Sequence, residues 1–177
     1  MATIGLKNIY YAIIQSDTTE ATTYGDMVKL SEAVSVDINP TVDTQTLYGD
    51  DAPVATNSNI TKIETSMETV DIPLEAQAAL LGHTLESGTL IAKASDRAPY
   101  VGIAFESEMH DGRIRCVKLL KGQFSPTQVT TNTRGENLEY QVAKISGSFV
   151  ARLSDKGWKK VKDYDKGEST ADWYTSF

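Results

Sequence analysis

Hydrophobic and polar residues alternate along much of this chain, and a period of two residues is typical of half-buried β-strands. The clearest alternation runs through Val28–Ile38 and again through Ile60–Val70. In each stretch one face carries apolar and threonine side chains, whereas the other is polar and includes Asp37, Glu64 and Glu68. We expect the two stretches to pair as an antiparallel hairpin with one polar, acidic face.

Two further strands follow from local sequence. Leu6–Gln15 is rich in β-branched and aromatic residues, which are enriched in strands. Leu138–Leu153 also reads as a strand, but its apolar positions change phase near Ala143–Lys144. Such a switch predicts a β-bulge there, and Gly147 indicates a bend.

An Asp-Gly dipeptide at positions 111–112 predicts a tight hairpin. It separates two strand-like runs, Tyr100–Met109 and Arg113–Lys121. If the loop has only these two residues, Glu108 lies opposite Arg115, which is a favourable cross-strand pair of charges.

One segment predicts an α-helix, Pro73–Leu81. Proline suits the first turn, Glu75 complements the positive end of the helix dipole, and Gly82 suits the C-terminal cap. The residues expected to face a sheet are Leu74, Ala78 and Leu81.

Two segments lack a sustained period. Asn39–Asn59, which includes Leu47 and Tyr48, predicts a long loop between two strands, and loops of this length are commonly functional. The segment 154–177 is strongly charged and predicts an arm that docks on another surface, because a disordered terminus rarely keeps so many aromatic residues. We expect that surface to be a neighbouring copy, and the alternative is a final strand and coil folded on its own domain. The aromatic residues of this segment are Trp158, Tyr164, Trp173, Tyr174 and Phe177.

The predicted fold class is therefore mainly β: an antiparallel β-sandwich or barrel with one flanking α-helix, a long hairpin loop and a C-terminal arm. Residues 1–153 form the domain, with the loop at 39–59 and the helix at 73–81, and residues 154–177 form the arm.

Composition limits the range of functions. The formal charge of −7 argues against tight nucleic-acid binding, which requires clustered Lys and Arg. No apolar run approaches the roughly 20 residues of a membrane-spanning helix, and no signal peptide is evident, so we expect synthesis in a cytoplasm and no membrane partner. Cys116 is the only cysteine, on a strand face that is apolar apart from Lys118, and is expected to be a small core residue.

No catalytic motif is evident, so the chain is expected not to be an enzyme and to need no cofactor. His83 follows the helix cap and is expected to be a turn residue rather than a metal ligand. Asp50 and Asp51 could bind a cation, although they lack the alternating oxygen ligands of an EF-hand loop.

Five collinear fragments together resemble the phi13-type family of bacteriophage major tail proteins. They are GLKNIYYA, LYGDD, LLGH, APYVGIAFESEMHDGRIR and VKLLKGQF, and they extend from about residue 5 to about residue 150. The resemblance implies a tail tube protein of a siphovirus-like phage, with a β-sandwich or barrel and a flanking helix. It implies assembly into stacked hexameric rings, in which hairpins from each subunit enclose a channel for DNA.

On this resemblance, Asp37, Glu64 and Glu68 are expected to face the channel, and the contacts between subunits are expected to involve Leu47, Tyr48, Trp173, Tyr174 and Phe177. The expected partners are other copies of the chain, the tape measure protein, tail terminator and distal tail or baseplate proteins, and double-stranded DNA in transit without sequence-specific binding. The expected location is the virion. The alternative is a carbohydrate-binding or adhesin-like β-sandwich, which should display exposed aromatic side chains in a cleft.

Overall fold

The structure is a computed structural model that describes residues 3–50, 52–126 and 142–177. It is mainly β, with antiparallel sheets and one flanking α-helix, which confirms the predicted fold class. The elements in chain order are β1 (Thr3–Asp17), β2 (Thr22–Tyr24), β3 (Val28–Ser31), β4 (Ala33–Gly49), β5 (Ala52–Thr69), α1 (Leu74–Leu81), β6 (Thr84–Glu86), β7 (Thr89–Ile91), β8 (Val101–Met109), β9 (Ile114–Ser125), β10 (Ala143–Phe149), β11 (Lys159–Tyr164) and a 3₁₀ turn (Ala171–Tyr174).

The main sheet closes on itself around the core. Its strand order is β2-β1-β8-β9-β10-β5-β4, and β3 pairs with β1 while β4 pairs with β5. Because only Glu32 separates β3 from β4, these two strands join the opposite ends of the sheet. The enclosed core is apolar, and its largest fully buried members include Ile9, Ile63, Met67, Ile103, Leu119, Phe124 and Phe149.

The helix forms where it is predicted but faces the core with other residues. Gly82 ends it in the left-handed region, with a φ of 72°, as a C-terminal cap requires. Ala76 and Leu80 are buried, whereas Leu74 is 42% exposed, so the predicted stripe was wrong at Leu74. Leu81 packs against the core, as expected, while remaining partly exposed. Ile72 precedes the helix and continues the row of Ala76 and Leu80 at a spacing of four residues, and this row enters the core.

The predicted loop Asn39–Asn59 is instead a continuation of two strands. β4 and β5 pair from Ala33 opposite Thr69 to Gly49 opposite Ala52, so the loop prediction was wrong. The segment has no apolar period because both of its faces meet solvent, not because it lacks strand geometry. The predicted strand Val28–Ile38 is divided at Glu32, where the chain passes from β1 to β5 as its partner.

The register of the β8–β9 hairpin also differs from the prediction by one residue near the turn. Arg115 does not lie opposite Glu108. The amide of Met109 donates to the carbonyl of Arg113, so the loop has three residues and ends at Gly112, whose φ is 84°. A three-residue hairpin loop commonly places a glycine in this left-handed conformation.

The arm folds on its own chain, which corrects the expectation that it docks on a neighbour. β11 pairs with β9 along all six of its residues, and the Arg115 guanidinium donates to both Asp163 oxygens at 2.7 Å. Tyr164 is 1% exposed. A domain boundary at residue 153 therefore has no counterpart, because β11 belongs to the main sheet.

The end of the predicted strand Leu138–Leu153 was placed too late, since β10 ends at Phe149. Residues 138–141 lie outside the described part of the chain. From Ala143 the pairing of β10 with β5 continues without a shift, so no bulge occurs at Ala143–Lys144. Gly147 does not mark a bend but a close approach, because a Cβ atom there would lie 2.8 Å from the Phe124 ring.

Gly122 provides a quantitative check on this packing. Its Cβ would lie 2.5 Å from the Phe149 ring, so Gly122→Ala should lower the free energy of unfolding by about 1–3 kcal/mol through overpacking. Urea unfolding measures this difference. Gly5→Ala is the matched control, because the nearest atom to its Cβ lies at 3.9 Å. Equal urea midpoints for the two variants would contradict the packing described here.

Candidate functional site

The β4–β5 hairpin projects beyond the closed sheet as a two-stranded ribbon, residues 39–62. Every ribbon side chain that the structure describes is exposed, whereas the adjacent Ile63 is 1% exposed. This change from exposed to buried side chains occurs where β10 ends, because β10 pairs with β5 only from Ile63 to Thr69. An isolated pair of strands is only marginally stable in water, so the ribbon is expected to gain stability from a partner.

Apolar side chains are concentrated on this ribbon. Leu47 is 66% exposed and Tyr48 68% exposed, close to the turn. Val54 lies across the hairpin from them and is also 68% exposed. Val42 and Ile60 lie opposite each other nearer the barrel and are exposed as well. Exposed apolar groups gathered on one projecting element are typical of an interaction surface.

The outer edge of β4 is open to pairing. Among the described residues, β5 is the only strand that pairs with β4. β3 precedes β4 in the chain but does not pair with it. Its 17 residues contain no lysine or arginine. The six residues of β11 include Lys159, Lys160 and Lys162. Lysines protect an edge strand from pairing with another chain, so β4 is the less protected edge of the two.

The structure places Asp37, Glu64 and Glu68 on one face of the hairpin. In the register, Asp37 lies opposite Ser66 and Glu68 opposite Ser35. All three carboxylates point to the polar side of the sheet, away from the core. The alternation of apolar and polar residues was sufficient to predict this shared face.

The face is charge-compensated rather than uniformly acidic. The Lys62 Nζ lies 2.6 Å from Glu64 Oε1, and this hydrogen bond lowers the pKa of Glu64. The Lys144 Nζ, on β10, lies 3.4 Å from Glu68 Oε1, and the Ser35 hydroxyl donates to the other Glu68 oxygen at 3.1 Å. Two of the three carboxylates are thus paired with a lysine.

A polar groove lies on this face, over the paired strands β5 and β10 and the adjoining parts of β4 and β9. Its volume is about 470 Å³. The groove is lined by hydroxyl, amide and charged side chains: Asn39, Lys62, Glu64, Thr65, Ser66, Ser125, Lys144, Ser146 and Ser148, together with Gly147. The two lysines among these described residues are paired with Glu64 and Glu68. The described wall of the groove is therefore polar but has no cluster of unpaired cations that could hold an anion.

The aromatic residues near the end of the arm lie over the outer face of β8 and β9, apart from the ribbon. The Tyr174 ring centre is 4.6 Å from that of Tyr10, and the Phe177 ring stacks on Tyr24 at 4.6 Å. Trp173 lies beneath the Lys118 ammonium group. The structure therefore does not join these aromatics with Leu47 and Tyr48 in one surface of the monomer.

Sequence reasoning missed what these aromatics cover. Glu106 and Lys118 are both 5% exposed and lie under the arm. Lys118 was detectable as the one charged residue on an otherwise apolar strand face, but its partners in the arm were not. Gly102 forms the floor beneath Phe177, since a Cβ atom there would lie 2.6 Å from that ring.

The remaining candidate residues have structural roles. The His83 Nδ1 lies 2.8 Å from Asp96 Oδ2, and the Lys93 amide donates to the same oxygen. These bonds, the Lys93 amide first, lower the pKa of Asp96. Burial raises the pKa of the Cys116 thiol to about 12, so it is unreactive in the folded chain.

No metal site is evident in the described part of the chain, where no three His, Cys, Asp or Glu side chains are grouped suitably. Asp50 is exposed at the ribbon turn, and Asp51 lies outside the described residues. Among the described helices, none is long and apolar enough to cross a membrane. Comparison with protein-family models gives no match for the chain, and comparison with curated proteins gives none either.

Proposed function

We propose that this chain is a major tail tube protein of a long-tailed bacteriophage and acts by self-assembly into stacked hexameric rings rather than by catalysis. The observation that carries the proposal is the projecting ribbon, with an open strand edge that has no lysine or arginine, and with exposed Leu47, Tyr48 and Val54. A second copy of the chain would supply hydrogen bonds to the edge and cover the apolar side chains. A ring of such copies would leave no strand edge unpaired.

The polar face of the hairpin suits the wall of a water-filled channel. One side of the sheet is buried in the core, and the other carries Asp37, Glu64 and Glu68 with their two lysines. In a closed ring this face would surround the lumen, where paired charges and hydroxyls would let DNA phosphates pass without being held. The tape measure protein would occupy the same lumen before DNA does.

Rings can stack if the top of one ring binds the bottom of the next. Because these two surfaces differ, the same contact can repeat along the tube axis without closing. The tail terminator and the distal tail or baseplate proteins would end the tube at either side. In this proposal the chain is synthesised in the host cytoplasm and functions in the virion.

Negative-stain electron microscopy of the purified full chain tests the proposal, because concentrated protein should form rings or tubes with a central channel. Analytical ultracentrifugation should show a concentration-dependent increase in mass. Monodisperse monomers at all concentrations would contradict the proposal and favour the alternative of a carbohydrate-binding or adhesin-like β-sandwich, which glycan-array binding would then test.

A further inference from the structure

Two buried side chains of opposite charge lie on the outer face of β8 and β9. Glu106 and Lys118 are each 5% exposed, on the side of the sheet opposite the core residues Phe105 and Val117. Both are covered by residues 170–177, which we name the strap. The strap thus provides the environment in which both charges are held.

The strap and β1 fully engage the Glu106 carboxylate. The Thr170 hydroxyl donates to Oε2 at 3.0 Å, and the Tyr174 hydroxyl donates to the same oxygen at 3.3 Å. The Asn8 side-chain amide donates to Oε1 at 2.6 Å. Three donors satisfy the negative charge without a cation.

The Lys118 ammonium group has a weaker set of partners. Its Nζ donates to the Ser176 carbonyl at 2.7 Å and lies 4.2 Å from the centre of the Trp173 ring and 5.4 Å from that of Phe177. Within the described ranges, no carboxylate forms an ion pair with it. A neutral amine can donate to the same carbonyl. The closed strap therefore provides a hydrogen-bond acceptor for Lys118 but no opposite charge in contact with it.

The surrounding groups reinforce this imbalance. Lys160 on β11 lies directly opposite Lys118 and repels its charge, while Asp172 of the strap attracts it. Burial first, and then Lys160, lowers the pKa of Lys118 to about 8. Cys116, next on this face of β9, has its pKa raised to about 12, and burial also raises the pKa of Tyr174.

The closed strap occupies one defined position. The Phe177 ring lies over Gly102, where a Cβ atom would be 2.6 Å from it, and it also stacks on the Tyr24 ring. Tyr174 packs on Tyr10 in the same way. In the closed strap, the Phe177 and Tyr174 rings therefore each have a defined contact on the sheet. Moving the strap away from the sheet would break both contacts.

We propose that the strap is a proton-linked latch, which opens with uptake of a proton by Lys118 and closes with its release. In the open state Lys118 meets water, where a lysine has a pKa of about 10.4. At Lys118, the closed state therefore binds one proton fewer between pH 8 and pH 10.4, which favours closure about tenfold per pH unit. Above about pH 8.5 this effect is opposed at Cys116, because the buried thiol keeps the proton that an exposed thiol loses. Below about pH 8 both states carry the proton, so the balance no longer changes and the latch is at its weakest.

Cys116 is a built-in probe of the latch, because it is fully buried on the same face of β9 as Lys118. Alkylation of the full chain by iodoacetamide can be followed by mass spectrometry, and its rate divided by the hydroxide activity at each pH. This division removes the ionisation of Cys116 itself, because a thiol with a pKa of about 12 when buried reacts only after it opens and loses its proton. The normalised rate should be constant from about pH 6.5 to 8 and then fall about tenfold per unit towards pH 10. Strap opening exposes little surface, so this rate should be nearly independent of dilute urea, unlike a rate limited by global unfolding.

Three variants complete the test. Lys118→Met should label more slowly than the wild type at pH 7 and show no dependence on pH, and Lys118→Arg should remain charged and also show none. Lys160→Met is the control, because it removes a charge from the same face but should retain the fall. A flat wild-type profile, an unchanged fall in Lys118→Arg, or labelling only through global unfolding would overturn the proposal. Lys118→Arg decides the question if Lys118→Met does not fold.

Discussion

A chain in which Asn-Gly replaces residues 44–58 should fold as a stable monomer and fail to form tubes. In the register Asp43 lies opposite Asn59, so the two-residue turn would join a pair of strands that already face each other. The removed side chains are exposed wherever the structure describes them and contribute nothing to the core, so the thermal midpoint should change little. Circular dichroism measures folding, and negative-stain microscopy measures assembly.

A pair of point variants separates the loss of contacts from the loss of length. Leu47→Ser with Tyr48→Ser keeps the ribbon but removes its most exposed apolar groups, and should raise the concentration needed for assembly at least tenfold. Ile4→Ser with Leu74→Ser removes exposed apolar groups elsewhere and should leave assembly unchanged. Tubes of normal length from the shortened chain would refute the role given to the ribbon.

The ribbon also shows why part of the fold could not be predicted from the pattern of residues. Alternation identifies a strand only when one face is buried, as in Ile63, Thr65 and Met67 of β5. Beyond Ile63 neither face is buried, and threonine, asparagine and valine follow no period although the strand continues. A strand whose two faces both meet solvent therefore looks like a loop in its own sequence.

Local signals were reliable where one residue determines the backbone. Gly82 ends the helix because only a left-handed conformation closes it there, and that could be predicted. Gly112 has the same property, yet the sequence did not distinguish a two-residue loop from a three-residue loop. With the three-residue loop, Arg115 no longer lies opposite Glu108 and instead binds Asp163. Asp163 belongs to the arm, and no local sequence pattern connects the arm with β9.

The polar face could be predicted residue by residue, but its compensating charge could not. Asp37, Glu64 and Glu68 follow from alternation within two strands, and so does Lys62. Lys144 reaches Glu68 from β10, a strand distant in sequence whose position depends on the whole sheet. The arm presents the same difficulty, because five aromatic residues indicate docking without indicating which chain receives them.

Reversing the charge of this face should make assembled tubes retain DNA. Replacing Asp37, Glu64 and Glu68 with lysine would remove the carboxylates that pair with Lys62 and Lys144, and would leave five lysines per subunit on one wall. Asp37 and Glu64 are exposed and Glu68 is partly exposed, all on the non-core face, so the barrel should still fold. Affinity for DNA decreases as the salt concentration rises, and it decreases more steeply when more phosphates are contacted. Retention of a duplex should therefore be strong at about 50 mM salt and weaker by orders of magnitude at about 200 mM.

The matched control carries the same change of net charge on other surfaces, through Glu20→Lys, Asp26→Lys and Glu86→Lys, all of which are exposed. Sedimentation of tubes with a fluorescent duplex measures retention, and nuclease treatment distinguishes DNA inside the channel from DNA on the outer surface. The face variant should retain nuclease-resistant duplex, whereas the control should retain only duplex that the nuclease degrades. Equal amounts of protected DNA in the two variants, or none in either, would show that Asp37, Glu64 and Glu68 do not line the channel.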